Sequence, residues 1–253
     1  MATIQSIYRY PVKGLSPEAL VRTSLSSGET IAADRIYAIE NGPSEFDPSA
    51  PVFKSKIHFL MLMRNSRIAA LQSRFDTNSH VLTLHCDGRP AVRGDLRTAD
   101  GRRTIEEFFE VYCVGEMRGA PKIVSAPGHS FSDSPAKIIS IINLASVAAI
   151  EAPVGMPVNP LRFRGNIYVA GWPAWHEREL IGSEIAFGPS ARVKIVSPIE
   201  RCTAVDVDPE TGIRDLSIPR VLMQAFGNAH CGVYGEVVSD GDIIVGDLVT
   251  TAQ

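Results

Sequence analysis

Apolar and polar residues in this chain alternate in short runs separated by glycine, proline, asparagine and aspartate, the pattern of half-buried β-strands. Such runs occupy residues 3–10, 35–40, 57–63 and 81–85. Near Asp100-Gly101 the period changes. Residues 104–112 carry acidic and aromatic side chains at helical spacing, with Thr104 as the expected N-cap and Glu107 three positions on. A domain boundary is therefore expected there, dividing the chain into 1–100 and 101–253. Beyond it, residues 138–142 read as a buried strand, 145–151 as a short helix and 153–160 as a proline-broken loop. Strands then resume at 166–170, 184–187, 191–198 and 232–238, and residues 241–247 read as turn, strand and turn. The expected fold class is α+β and predominantly β. The second half is most simply a barrel, because closure removes exposed strand edges.

At 253 residues the chain can bury a substantial core. Its formal net charge of -3 leaves no electrostatic footprint for nucleic acid. The N-terminal residues lack the apolar stretch of a secretory leader, and no uncharged apolar run reaches the roughly 18 residues of a membrane span. A cytoplasmic protein that binds neither nucleic acid nor membrane is expected. Cys86, Cys113, Cys202 and Cys231 lie far apart without CxxC spacing, which argues for reduced thiols rather than a disulfide framework or a zinc knuckle.

Of these thiols, Cys202 has the most suggestive surroundings, SPIERCTAVDVDPETG. A strand-like stretch ends at Pro198, Arg201 precedes the thiol, and an acidic turn follows. The adjacent guanidinium is expected to favour the thiolate, the form that ligates a soft metal. Asp206 and Asp208 are expected to shape the turn through side-chain bonds to nearby backbone.

Three segments of the second half together resemble the MOSC (molybdenum cofactor sulfurase C-terminal) family. They are Arg201-Cys202 with Val207-Asp208-Pro209 and Thr211-Gly212; Phe163-Arg164-Gly165-Asn166-Ile167; and Gly232-Val233-Tyr234 followed by residues 241–247. In the first half, Tyr10-Pro11-Val12-Lys13-Gly14 and Asp34-Arg35 resemble the β-barrel domain that precedes MOSC in many such proteins, including the molybdenum-containing amidoxime-reducing component family. The resemblance implies a MOSC β-barrel with a smaller N-terminal β-barrel-like domain, and a molybdenum–pyranopterin cofactor between them whose metal is ligated by Cys202. It further implies that Lys13, Arg35 and Arg164 cradle the cofactor's phosphate, since a guanidinium fork matches phosphate geometry. Asn166, Arg201, Asp133, Ser134 and Tyr234 fall at positions resembling further cofactor contacts, Asn166 through its amide.

Three departures from the family pattern stand out: Gly165 where proline is usual, Gly14 where several relatives have serine, and a shortened stretch from 174 to 180. His230-Cys231 lies in a Gly-rich loop that could bring Cys231 to the cofactor as a second redox thiol. His85-Cys86 and His176-Glu177 are adjacent pairs that diverge on a strand and make no metal site.

The implied activity is reduction of N-hydroxylated or related N-oxygenated small molecules. Electrons would come from a separate flavin, haem or iron–sulfur protein, because no Gly-rich dinucleotide fingerprint is present. A competing expectation is a non-catalytic carrier of sulfur or of the finished cofactor, with a persulfide on Cys202. A third is a β-barrel module that has lost the cofactor.

Overall fold

The computed structural model describes residues 1–251. In chain order the main elements are β1 (Ala2–Arg9), β2 (Glu18–Leu20), β3 (Arg22–Leu25), β4 (Ala38–Asn41), β5 (Gln72–Asp76), β6 (Val81–Cys86), β7 (Arg89–Asp95), α1 (Ala99–Tyr112) and β8 (Pro121–Val124). The second half continues with β9 (Ile139–Asn143), α2 (Leu144–Val154), β10 (Ile167–Ala170), α3 (His176–Glu179), β11 (Glu184–Phe187), β12 (Ala191–Glu200), α4 (Ile218–Phe226), β13 (His230–Ser239), β14 (Gly241–Ile244) and β15 (Leu248–Thr251). The fold is α+β and predominantly β.

Strands β10-β9-β13-β12-β11-β15-β1 form a sheet that closes on itself through the pairing of β1 with β10. Among the described pairings of this sheet only β9 and β10 run parallel, and helix α2 makes the crossover between them that a parallel pair requires. The interior is filled by Ile4, Ile7, Ile141, Ile167, Val169, Ile185, Phe187, Val193, Ile195, Val233 and Val237, nearly all β-branched and suited to a pleated surface. A second core, built on α1, the β5–β6–β7 meander and the β4–β8 pair, gathers Tyr37, Leu60, Leu82, Leu84, Ile105, Phe109 and Ile123. Val207, from the turn after Cys202, packs into this second core and ties the two units together.

Several sequence expectations need correction. Helix α1 starts at Ala99, because the Thr98 hydroxyl accepts from the Gly101 N–H at 3.0 Å; Thr104 lies inside the helix and donates to the Asp100 carbonyl instead. Since Ile105 and Phe109 of α1 belong to the first unit's core, that unit continues past residue 100. The division is also not a single cut, because β1 is a stave of the barrel. Residues 57–63 do not form a strand. After a 3-10 turn at Lys56–His58, four consecutive residues, Phe59 to Leu62, are all buried, as suits a segment packed on both sides rather than a half-buried strand. Arg35 sits in a turn before β4 at φ +55°.

Candidate functional site

Between the barrel and the first unit lies a cavity lined by Lys13, Arg35, Asp133, Ser134, Arg164, Asn166, Arg201, Cys202 and Tyr234, which brings every sequence-predicted site residue to one place. The first unit adds Lys56 and the segment Leu60, Met61, Leu62 and Met63.

One end is organised around Tyr10, a fully buried ring at the end of β1. The guanidinium carbons of Arg35 and Arg164 lie 4.7 and 4.3 Å from its centroid, within cation–π range. Arg35 pairs with buried Asp34, which also accepts from the Tyr10 N–H at 2.8 Å, and its second Nη donates to the Arg164 carbonyl at 3.3 Å. Arg164 caps a 3-10 turn at φ +50° and donates to the Leu15 carbonyl at 2.9 Å. Burial pulls the Arg164 pKa down. At Arg35 burial acts the same way, but Asp34 and then Tyr10 outweigh it and raise the value. Lys13 is almost sealed, with Nζ 2.8 Å from the Phe131 carbonyl and 2.5 Å from Asp133 Oδ1. Burial lowers its pKa against the opposing pull of Asp133.

The other end holds Cys202, where β12 gives way to a 3-10 turn. The cation beside its sulfur is Lys56, whose Nζ donates to Sγ at 3.4 Å and lies 3.8 Å from Asp133 Oδ2. Arg201, expected there, points elsewhere: Nε donates to the Cys231 carbonyl at 2.7 Å and Nη1 to the Phe163 carbonyl at 2.9 Å. Lys56 was missed by sequence reasoning. Burial opposes its charge, yet Asp133 and Cys202 together raise its pKa. Burial would also raise the Asp133 pKa, but Lys13, Lys56 and Arg35 hold it down to about 2. Burial pushes up the Tyr234 phenol beside them.

Two predicted contacts have other duties. The Asn166 amide is partly engaged in the barrel wall, where Oδ1 accepts from the Ser140 N–H and hydroxyl at 3.0 and 2.8 Å and one Nδ2 hydrogen is donated to the Tyr8 carbonyl at 3.2 Å. Ser134 shapes its own loop, accepting from the Ala136 N–H at 3.1 Å. Cys231 is no second redox thiol, since it is wholly buried and burial pushes its pKa up to about 12. Asp208 organises the turn after Cys202 as expected, accepting from Glu210 N and Thr211 N at 3.0 and 2.8 Å, while Asp206 caps α4 through the Ile218 N–H at 2.7 Å. Buried Arg162 clamps this region by binding Asp215 at 2.7 and 2.8 Å, Asp208 at 3.1 Å and the Asp206 carbonyl at 3.0 Å.

Compared with protein families, residues 1–119 match the MOSC N-terminal beta barrel domain and residues 128–250 match the MOSC domain. The chain belongs to the MOSC family. Among solved structures it is similar to the YuaD protein from Bacillus subtilis, at 14% identity and a TM-score of 0.46 over 100% of this chain and 97% of that one. It is also similar to YiiM from Geobacillus stearothermophilus, at 21% identity and a TM-score of 0.36 over 46% of this chain. That match spans 54% of YiiM, about half its length. Among curated proteins, none matches the chain.

MOSC domains are associated with molybdenum cofactor binding, and the residues here fit such a group. Cys202 would supply a soft ligand, while Lys13, Lys56, Arg35, Arg164 and Arg201 outnumber the carboxylates of Asp133 and Glu200 around the cavity. Arg201 Nη2 is buried at this wall without a hydrogen-bond partner, an unmet donor among those cations. Among the described residues, no cluster of three or more His, Cys, Asp or Glu could hold a bare metal ion. No described helix is long and apolar enough to cross a membrane.

The departures from the usual MOSC pattern have local reasons. The Gly165 N–H donates to Tyr168 Oη at 2.9 Å, and a Cβ there would lie 2.3 Å from Ile142 Cγ1, so proline is excluded on both counts. Gly14 has φ +86°, and a Cβ there would meet the Leu60 carbonyl at 2.9 Å. The short 174–180 segment folds as α3, whose Glu177 is buried and accepts from Asn143 and Ser146, both at 2.8 Å.

Proposed function

We propose that this MOSC protein holds a molybdenum–pyranopterin cofactor in the cavity and works as an oxidoreductase that reduces N-hydroxylated or related N-oxygenated small molecules. The supporting observation is the joint placement of the Cys202 sulfur and the Lys13, Arg35 and Arg164 cations around one cavity shared by both units. The cofactor supplies the redox chemistry and oxygen transfer when bound. Cys202 provides the thiolate ligand, and Lys56 holds positive charge beside it. Arg35 and Arg164, stacked against Tyr10, offer planar donors to the phosphate, with Lys13 adding a point charge. Met61, Leu62, Met63 and Ala204 make an apolar wall against which a small substrate lies and which limits water. Electrons arrive from a separate flavin, haem or iron–sulfur protein, and the protein works in the cytoplasm.

The test is metal and pterin analysis of protein made in a cofactor-competent host, beside Cys202→Ala. One molybdenum per chain is expected in the parent, with a loss of at least tenfold in the variant. Equal metal in both, or none in either, overturns the assignment. A sulfane adduct on Cys202 in protein without molybdenum would favour the carrier instead. Turnover of an amidoxime or hydroxylamine with an artificial reductant tests the enzymatic step.

A further inference from the structure

Lys56 differs from the other cations of the cavity in what holds it. Lys13 is engaged by the Phe131 carbonyl and Asp133 and keeps 8% of its side-chain surface exposed, whereas Lys56 keeps 30%. An ammonium carries three N–H donors. At Lys56 one points to Cys202 Sγ at 3.4 Å, and the Asp133 contact, at 3.8 Å, is too long for a hydrogen bond. Asp133 does not neutralise Lys56 alone, because its Oδ1 is already held by Lys13. The cavity wall that Met61, Leu62 and Met63 contribute has apolar side chains with no anionic oxygen to compete for the ammonium. A small molecule approaching Cys202 therefore meets, besides the carboxylates of Asp133 and Glu200 and the Tyr234 phenol, an ammonium with unused donors and apolar side chains.

We infer that Lys56 is a specificity-determining residue that selects ligands presenting a negatively charged oxygen to the Cys202 end of the cavity. The substrates are small acids with an apolar body, carrying a carboxylate or a deprotonated N-hydroxy group that Lys56 orients. This names the substrate's charge for the site proposed above and rests on that reading. The deeper cations do not substitute for Lys56, since Arg35 and Arg164 stand at the Tyr10 end of the cavity, where the reading above assigns them to the cofactor's phosphate.

The inference is tested with the full chain made in a host that supplies no pterin cofactor. Cys202 is alkylated in parallel by iodoacetate and iodoacetamide at one pH, with each cysteine read separately by mass spectrometry. In both reactions the thiolate attacks the methylene carbon, a C–S bond forms and iodide leaves with the C–I electron pair. The ratio of the two rates cancels the thiolate fraction and reports the preference for an anionic reagent. Cys86, beside Asp87, is the internal control for fold and reagent. The ratio at Cys202 should exceed that at Cys86. Lys56→Gln should lower it by roughly fivefold, and Lys56→Arg should keep it within about twofold of the parent. An unchanged ratio in Lys56→Gln, or a parent ratio no higher than that of Cys86, overturns the inference. Molybdenum content is measured independently. A preserved ratio in Lys56→Gln whose parent loads molybdenum sinks the anion preference alone, whereas a collapsed ratio in a protein that never loads it sinks the cofactor reading alone.

Discussion

At the Tyr10 end of the cavity, Arg35 and Arg164 lie against one buried ring and donate to backbone carbonyls, whereas at the Cys202 end Lys56 and Asp133 approach each other as side chains, with Asp133 47% exposed. Groups held by backbone take their positions from the fold itself. Groups held by other side chains can shift when a ligand arrives, because exposed ion pairs are weak. The first end is thus suited to fixing a group of constant shape, and the second to admitting molecules that vary.

The strongest way to break this contrast is to disturb the backbone of the fixed end. Gly165→Pro removes the hydrogen bond to Tyr168 and drives atoms into Ile142, and should destabilise the protein by about 3 kcal/mol or more in urea unfolding. A loss below about 1 kcal/mol would mean that this end yields easily and that the contrast is false. Cys231→Ala should have an intermediate effect, about 1 kcal/mol from a small buried void, with molybdenum loading unchanged. Reduced loading at unchanged stability would return Cys231 to the site.

The smallest effect is expected at the adaptable end, from Asp133→Asn. The folded Asp133 carboxyl sits at about 2, below the roughly 3.9 of an unfolded aspartate. Between those values the unfolded chain binds more protons, so stability rises with pH. The contribution is complete above about pH 5 and disappears as the pH falls towards 2. Acid titration of the parent should show this loss, and Asp133→Asn should flatten it slightly, given the exposure of the carboxylate. A steeper acid dependence in the variant would contradict the assignment of the charge.

How much of this could be read beforehand depends on how local each signal was. The barrel strands were legible because alternation is written within each one, and residues 184–187 match β11 at both ends. Lys13, Arg35, Arg164 and Cys202 stood out through short motifs, and they do meet. Lys56 carried no such mark, because its sulfur partner is 146 positions away and the residues after it mimic a strand. Arg201 shows the opposite: sequence adjacency to Cys202 suggests a contact, whereas its guanidinium donates to the carbonyls of Phe163 and Cys231. Asn166 lines the cavity, and Ser140 and Tyr8, distant in sequence, engage its Oδ1 and one of its two Nδ2 hydrogens, which no local motif announces.

The closing strand of the barrel has a consequence for how the molecule is made. Ala2 pairs opposite Val249 and Thr3 opposite Ala170, so β1 cannot complete its pairing until the chain has been synthesised as far as β15. Until β10 follows, β1 has only β2 beside it, and its other edge is a template for mispairing with other chains. The first unit can bury most of its own core earlier, because apart from Val207 that core lies within the first half of the sequence. Biogenesis should therefore be biphasic, with a first unit that resists protease on a stalled nascent chain while the barrel remains open.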